Sequence, residues 1–394
     1  MSSLLERAAA FSFLLLAAAL PWSIAPMSIG VVLCGALTLA AWWRPGGARW
    51  VHTPVDFPAL GWLAALAIAT ATSQDPAGSA GRITKGLLLA IIPVAAYHGR
   101  DPKLAKRAIA VLLASAAIAT IVALTKFVAQ GGAFPARVRG AVGHPLTYGG
   151  QAMLLAATAM ALLIRGRDRR WRIAAGALLT LVAPALLGSF TRSAWIGTLV
   201  SFGVILAWTR ARWLAALAAL VFALLLVLPA GYRERALSAF DPGSPWNVER
   251  LRLWDAGWRM FRDHPITGVG LQDLHPWIER YHSPEPHDPH GHLHSVYVQI
   301  GATMGIVGLA AFAWLAVGLF RTAGRGLRKD AGSDGFGLAL RLAAVAALAG
   351  FLVAGLFEWN FGDEELLDFL FVLVGMAFAA SGWGRVWADA RRSS

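Results

Sequence analysis

Seven of the ten histidines lie between His264 and His294, and five of these fall in the run from His282 to His294, which contains His-Asp-Pro-His-Gly-His-Leu-His. Such density raises two chemistries, metal ligation and proton transfer. His287, His290 and His294 have the i,i+3 and i,i+4 spacing of zinc ligands on a helix, but Pro289 and Gly291 break that helix. The single cysteine, Cys34, sits in a distant apolar run, where it reads as a small buried hydrophobe. No metal is therefore expected, and His282, His287 and His290 read as polar, partly exposed loop residues without a specific role. His294 differs, because it stands where the polar segment ends and the apolar run Ser295 to Phe320 begins. An imidazole at such a boundary can take a proton at neutral pH, which is the work of a general base.

Arginine is the second residue type placed for chemistry. Arg192 lies in Ser-Phe-Thr-Arg-Ser-Ala-Trp, between two apolar runs with no polar loop around it. A cation there is costly and calls for a partner or an anionic ligand. Arg137 and Arg139 share the segment Arg-Val-Arg-Gly-Ala-Val-Gly-His-Pro with His144, and Arg250 and Arg252 lie in the long polar stretch. Guanidinium is planar and permanently charged, so arginines offered from three segments to one face suit a diphosphate.

The elements that must position these groups follow from periodicity. Asn247, after Pro245 and Trp246, is expected to cap a helix running to about Phe261, with Leu251, Trp254, Trp258 and Phe261 on one apolar stripe. Arg250 then lies about 60° from the stripe's centre and is aimed at the protein body. Arg252 and Arg259 turn to water, with Asp255 placed i,i+4 to Arg259. The Gly-Val-Gly at 268–270 is too short for a phosphate loop and reads as a turn between two loop helices.

Composition sets the environment. Of 394 residues, 57% are hydrophobic and only 14% charged, against roughly a quarter charged in soluble domains. Apolar runs at about 4–20, 22–43, 54–72, 83–98, 108–129, 147–164, 173–188, 194–208, 213–230, 295–320, 338–357 and 366–384 predict twelve membrane-spanning helices in an all-α polytopic protein. Alternate gaps and the termini carry clustered cations, among them Arg44, Arg49, Arg165–Arg172, Arg328, Lys329, Arg385, Arg391 and Arg392. By the positive-inside rule that side, with both termini, is cytoplasmic. The expected organisation is spans one to nine over 1–230, a large periplasmic loop with short helices over 231–294, and spans ten to twelve with a cytoplasmic tail over 295–394. A soluble enzyme is excluded, and the net charge of +13 reports membrane topology rather than nucleic acid. A transporter would carry ionisable groups near mid-span and related halves; the polar groups gather at one face instead.

Thr-Arg-Ser-Ala-Trp at 191–195, Arg-Leu-Arg-Leu-Trp at 250–254, His-Pro-Ile-Thr-Gly-Val-Gly at 264–270 and His-Ser-Val-Tyr-Val-Gln-Ile-Gly-Ala-Thr-Met-Gly-Ile-Val-Gly at 294–308 resemble the O-antigen ligase and polymerase superfamily. Arg-Gly-Ala-Val-Gly-His-Pro at 139–145 is similar to that family's outer loop, with His144 where Asn is common. The resemblance implies an inner-membrane glycosyltransferase working at the periplasmic face. It would move O-antigen from undecaprenyl diphosphate to a sugar hydroxyl of lipid A core among the membrane lipids, without cofactor, metal or nucleic-acid partner. His294 matches the family's base and Arg192 and Arg250 its arginines; Arg139 is a further diphosphate ligand, with Arg137, His144 and Arg252 in reserve. A glycine often precedes the family's loop arginine, where this chain has Glu249. The displacement would invert the anomeric carbon. An O-antigen polymerase or a protein O-oligosaccharyltransferase of the same superfamily is the alternative. Glu358, Asp363, Glu364 and Glu365 in the last outer loop read as solvating residues.

Overall fold

A computed structural model describes residues 4–43, 53–282, 291–325, 327 and 335–382. His287 and His290 lie outside these residues, as do the cationic positions Arg44, Arg49, Arg328, Lys329, Arg385, Arg391 and Arg392. The described chain is all-helical: α1 (Leu4–Ala19), α2 (Ile24–Trp43), α3 (Asp56–Ala71), α4 (Pro76–Ile83), α5 (Ile91–Gly99), α6 (Pro102–Ala129), α7 (Pro145–Arg165) and α8 (Arg169–Gly188) come first. Then follow α9 (Arg192–Arg210), α10 (Trp213–Val227), α11 (Ala230–Leu237), α12 (Pro245–Asp263), α13 (His275–Tyr281), α14 (Val296–Gly324), α15 (Gly335–Ala354) and α16 (Glu364–Ala380).

Among the described residues, seven helical stretches are long and apolar enough to cross a membrane: Ile24–Trp43, Pro76–Gly99, Pro102–Ala129, Pro145–Arg165, Arg169–Gly188, Val296–Gly324 and Gly335–Ala354. The other five expected spans form helices of 15 to 19 residues, at or below the roughly 20 that a bilayer core demands. Seven crossings are thus marked where composition predicted twelve. The expected span at 83–98 begins earlier, at Pro76, where the Asp75 side chain caps α4 by accepting from Gly78 N; a 3-10 segment, Thr84–Ala90, then joins α4 to α5.

Packing is densest where α7, α9, α15 and α16 meet. α15 lies against both α7 and α9, and α16 against α5. Small residues permit the approach: a Cβ on Gly197 would meet the Gly350 carbonyl at 2.7 Å, and one on Gly350 would meet Gly197 O at 2.4 Å. Ser201 Oγ donates to Ala346 O across the same seam, the small-residue packing expected where lipid supplies no hydrophobic driving force.

The loop between α10 and α14 builds its own core from Leu253, Ala256, Met260, Val269, Leu274, Trp277, Ile278, Leu293 and Ala302. The last of these belongs to α14, because the loop plugs a break in that helix. Gly305 has φ 60° inside α14, Ile306 N and Val307 N donate to Pro265 O and Ile266 O, and Val269 N and Gly270 N donate to Ala302 O and Thr303 O. A Cβ on Gly268 would lie 2.3 Å from Thr303 C. Gly-Val-Gly does lie between two loop helices, but the turn is at 265–267 and residues 268–270 run against α14, where the glycines let backbone press on backbone. A broken helix is tolerated at membrane depth only where protein covers it, which the loop does.

Candidate active site

The helix expected near 247–261 is α12, but Ser244 occupies its N-cap and Pro245 its first turn. Asn247 caps nothing. Its Nδ2 donates to Ser238 O and Asp241 O, and its Oδ1 accepts from Arg192 Nη2 at 2.8 Å. The buried face of α12 is Leu253, Ala256, Gly257 and Met260 rather than the aromatic stripe, since Leu251 and Trp258 are 51% and 60% exposed. Hydrophobic bulk misleads the periodicity: the face that includes Ala256 and Gly257 packs on the loop core, Trp258 points outward, and Trp254 is only partly buried, against Phe357. Arg250 falls between the two faces and does reach the body, with Nη2 3.5 Å from Glu358 Oε2. Arg252 is exposed and pairs with neither, while Asp255 and Arg259 form the expected exposed ion pair at 2.7 Å.

His294 is buried at the start of α14, in the left-handed region with φ 46°. Such a backbone costs a non-glycine residue on the order of 1–2 kcal/mol and is held by its surroundings. Ser295 Oγ accepts from Val298 N, Leu293 N donates to Gln299 Oε1, and Val296 N donates to Gly355 O. These bonds swing the imidazole so that Nδ1 meets Glu358 Oε1 at 2.9 Å. Glu358 is buried, and burial alone would raise its pKa; the hydrogen bond and charge of His294, with Arg250 and His292, outweigh it and hold the carboxyl at about 2. An ionised carboxylate hydrogen-bonded to Nδ1 orients the ring and would stabilise an imidazolium.

A cavity of about 650 Å³ opens beside His294, lined by Arg137, Arg192, Arg235, Arg250 and Arg252. Three of these pivot on one turn between α8 and α9. Arg137 Nε and Nη2 donate to Ser189 O and Thr191 Oγ1, Arg235 Nε donates to Phe190 O, and Arg192 itself begins α9. Phe190 is the second non-glycine residue with positive φ, at 50°, and its ring is fully buried against Tyr232 at 4.5 Å. That turn explains Ser-Phe-Thr-Arg: its carbonyls are aimed at guanidiniums. Arg192 Nη1 is committed to Ser238 O and Oγ, so this arginine clips α9 to the loop. Burial, then the charge of Arg139, lowers Arg137 to about 10, and burial with Arg137 and Arg250 does the same to Arg235. Guanidiniums desolvated beside one another favour an anion among them.

The remaining expected residues divide. His144 lines the cavity and lies 3.5 Å from Thr147 Oγ1, which donates to Asp363 Oδ2. Arg139 is exposed and does not line it. His282 is not a partly exposed loop residue: its side chain is fully buried, 3.5 Å from Glu249 Oε1, under α12 and α13.

Two participants escaped the sequence reading. Glu358 read as a solvating residue, yet it is buried against His294; an acid between Phe357 and Trp359 was the available signal, since ionisable groups in apolar surroundings are costly. Arg235 is not singled out by the sequence. His292, His294 and Glu358 also bring ligand-type atoms within 4.8 Å of one another, donor types that suit a metal as well as a proton relay. Arg250 beside Glu358 argues for the relay, because a fixed cation there opposes a dication.

Comparison with curated proteins found no match. Residues 177–313 match the family described as O-antigen ligase, a span from within α8 to the broken part of α14. That match covers the stretch that carries Arg192, Arg235, Arg250 and His294.

Proposed function

We propose that this multi-pass membrane protein is an O-antigen ligase that moves glycan from undecaprenyl diphosphate to a sugar hydroxyl of lipid A core. The observation that carries the reading is the His294–Glu358 pair, Nδ1 to Oε1 2.9 Å, at the edge of the arginine-lined cavity. The donor diphosphate lies among Arg137, Arg235 and Arg250, with Arg192 holding the loop that presents Arg250. Its polyprenyl chain follows a groove of about 380 Å³ that continues from Arg192 and Arg250 past Ile196, Trp254 and Phe357. The acceptor hydroxyl gives its proton to His294 Nε2 as its oxygen attacks the anomeric carbon. The bond from that carbon to the diphosphate breaks, the pair of electrons leaves with phosphate, and the guanidiniums meet the added charge. Attack opposite the leaving group inverts the configuration. Glu358 stabilises the imidazolium formed in the step.

Topology completes the proposal: twelve spans, both termini in the cytoplasm and the 231–294 loop in the periplasm of a Gram-negative cell, with the site at the periplasmic face of the inner membrane. A polymerase would manage two diphosphate carriers with the same base, and one long outer loop favours the ligase. Purified protein given labelled carrier-linked glycan and lipid A core tests both. Label arriving on lipid A core supports ligation; label lengthening the carrier-linked glycan makes the protein a polymerase, and no transfer to either rejects the reading.

A further inference from the structure

The loop joining α15 to α16 has two sides. Glu358 holds His294, and Phe357 lines the donor groove. Trp359, Phe361 and Gly362 instead line a separate cavity of about 120 Å³, whose mouth carries Arg82 and Lys85. Gln299 and Thr303 of α14 form its inner wall, and Gln299 is the residue that accepts from Leu293 N beside the catalytic histidine. The 357–362 loop thus borders two separate cavities, each with basic residues in its lining.

The second opening continues downward. Gly86 and Leu89 line both this cavity and an apolar groove of about 760 Å³ running between α3 and the Thr84–Ala90 segment. Gly86 is the neck: a Cβ there would press on Leu63 Cδ2 and Leu66 Cδ1, each at 2.7 Å. The groove's side chains face outward, with Phe57 75%, Leu60 60% and Leu87 62% exposed, as lipid-facing residues would be. Lys85 Nζ is steadied by Gly362 O at 2.8 Å and lies 3.7 Å from Glu364 Oε1. Arg82 is exposed at the end of α4. A soluble anion would account for the basic mouth but not the groove, and an apolar partner helix for the groove but not the mouth. An amphiphile with a phosphorylated head and hydrocarbon tails accounts for both.

We propose that this is the acceptor's site: a phosphorylated glycolipid whose acyl chains lie along α3 and whose phosphate is held by Arg82 and Lys85. Its sugars reach over the 357–362 loop to His294, and donor and acceptor enter from opposite sides of that loop. The assignment rests on the glycan-transfer reading given above, and binding is measured apart from transfer so that the two can fail separately. The full chain in phosphatidylcholine nanodiscs is titrated with lipid A core, with its enzymatically dephosphorylated form, and with carrier-linked glycan. Arg82→Gln/Lys85→Gln should weaken phosphorylated lipid A core by about tenfold or more and leave the dephosphorylated form unchanged. Arg82→Gln alone, at an exposed side chain that the fold does not need, should lose about threefold. Leu87→Trp, which fills the groove, should weaken both acceptor forms, and none of the variants should alter donor binding. Unchanged acceptor affinity in the double variant, no acceptor binding by the wild type, full competition by inorganic phosphate, or a parallel loss of donor binding would each overturn the proposal. Absence of transfer by a wild type that binds both lipids would instead remove the functional reading and leave the site standing.

Discussion

Among the described residues His294 stands against Glu358 and His282 against Glu249, and the two buried histidines are set differently. His294 and Glu358 meet at 2.9 Å with hydrogen-bond geometry, each side chain keeps 10% of its surface exposed, and His294 lines the cavity. His282 and Glu249 stand 3.5 Å apart, His282 has no exposed side-chain surface, and neither of its ring nitrogens has a hydrogen-bond partner among the described residues. The difference is one of orientation and access. The left-handed backbone at His294 turns its ring toward Glu358, whereas His282 only fills space at the end of α13. Nearness of an acid to an imidazole therefore does not make a base; base work also needs a hydrogen bond that orients the ring and a place beside a substrate cavity.

The largest effect that would sharpen this contrast is loss of the base itself. His294→Ala should reduce glycan transfer by roughly 10²–10⁴-fold with normal membrane insertion, and Glu358→Gln should cost on the order of a hundredfold by releasing the tautomer. Near-normal rates in well-expressed variants would end the proton-relay assignment. Chelation should leave the rate intact; inactivation by a chelator, reversed by zinc, would turn His292, His294 and Glu358 into a metal site.

Next come the arginines. Arg250→Ala should lower the rate by about 10²–10³-fold, while Arg252→Ala, at an exposed side chain, should change it little. Arg192→Lys should rescue poorly, because one ammonium cannot serve Ser238 and Asn247 together. A silent Arg250 beside a damaging Arg252 would mean that α12 presents its other side to the donor.

A smaller effect concerns Asp363, whose carboxyl is raised to about 7, first by burial and then by Glu358 and Glu365. Because the folded state holds this proton more tightly than the unfolded chain does, its contribution to stability is present below about pH 4 and is lost as pH rises to 7. Asp363→Asn should therefore melt a few degrees above wild type at pH 8, with the gap closing toward pH 4. Thermal melts across that range check the sign, and a gap that widens on acidification contradicts it. The smallest effect on rate should come from His282→Ala, which should transfer glycan within about twofold of wild type while melting earlier. A dead but stable His282→Ala would erase the distinction between the two pairs.

How much was legible beforehand depends on the range of the interaction. Helix identity, the polar insert and the Asp255–Arg259 pair are local, and composition and spacing report local structure. Arg192 was suspect from its setting alone, since a cation between two apolar runs must be satisfied by something. The face of α12 is not legible from side-chain size, because Ala256 and Gly257 are what let the helix sit close to Leu293 and Val298. Glu358 was out of reach for another reason: it lies 64 residues from the histidine it orients.

Sequence by itself determined that this chain is apolar, helical and asymmetric, with its arginines and a boundary histidine at one end, because those properties are sums and periods along a chain. Only the tertiary structure decided which groups meet. The turn at Phe190 gathers Arg137 and Arg235, the break at Gly305 seats the loop in α14, and the backbone at His294 turns toward Glu358. Each is a contact between segments distant in sequence, held by backbone geometry and packing that no spacing rule encodes.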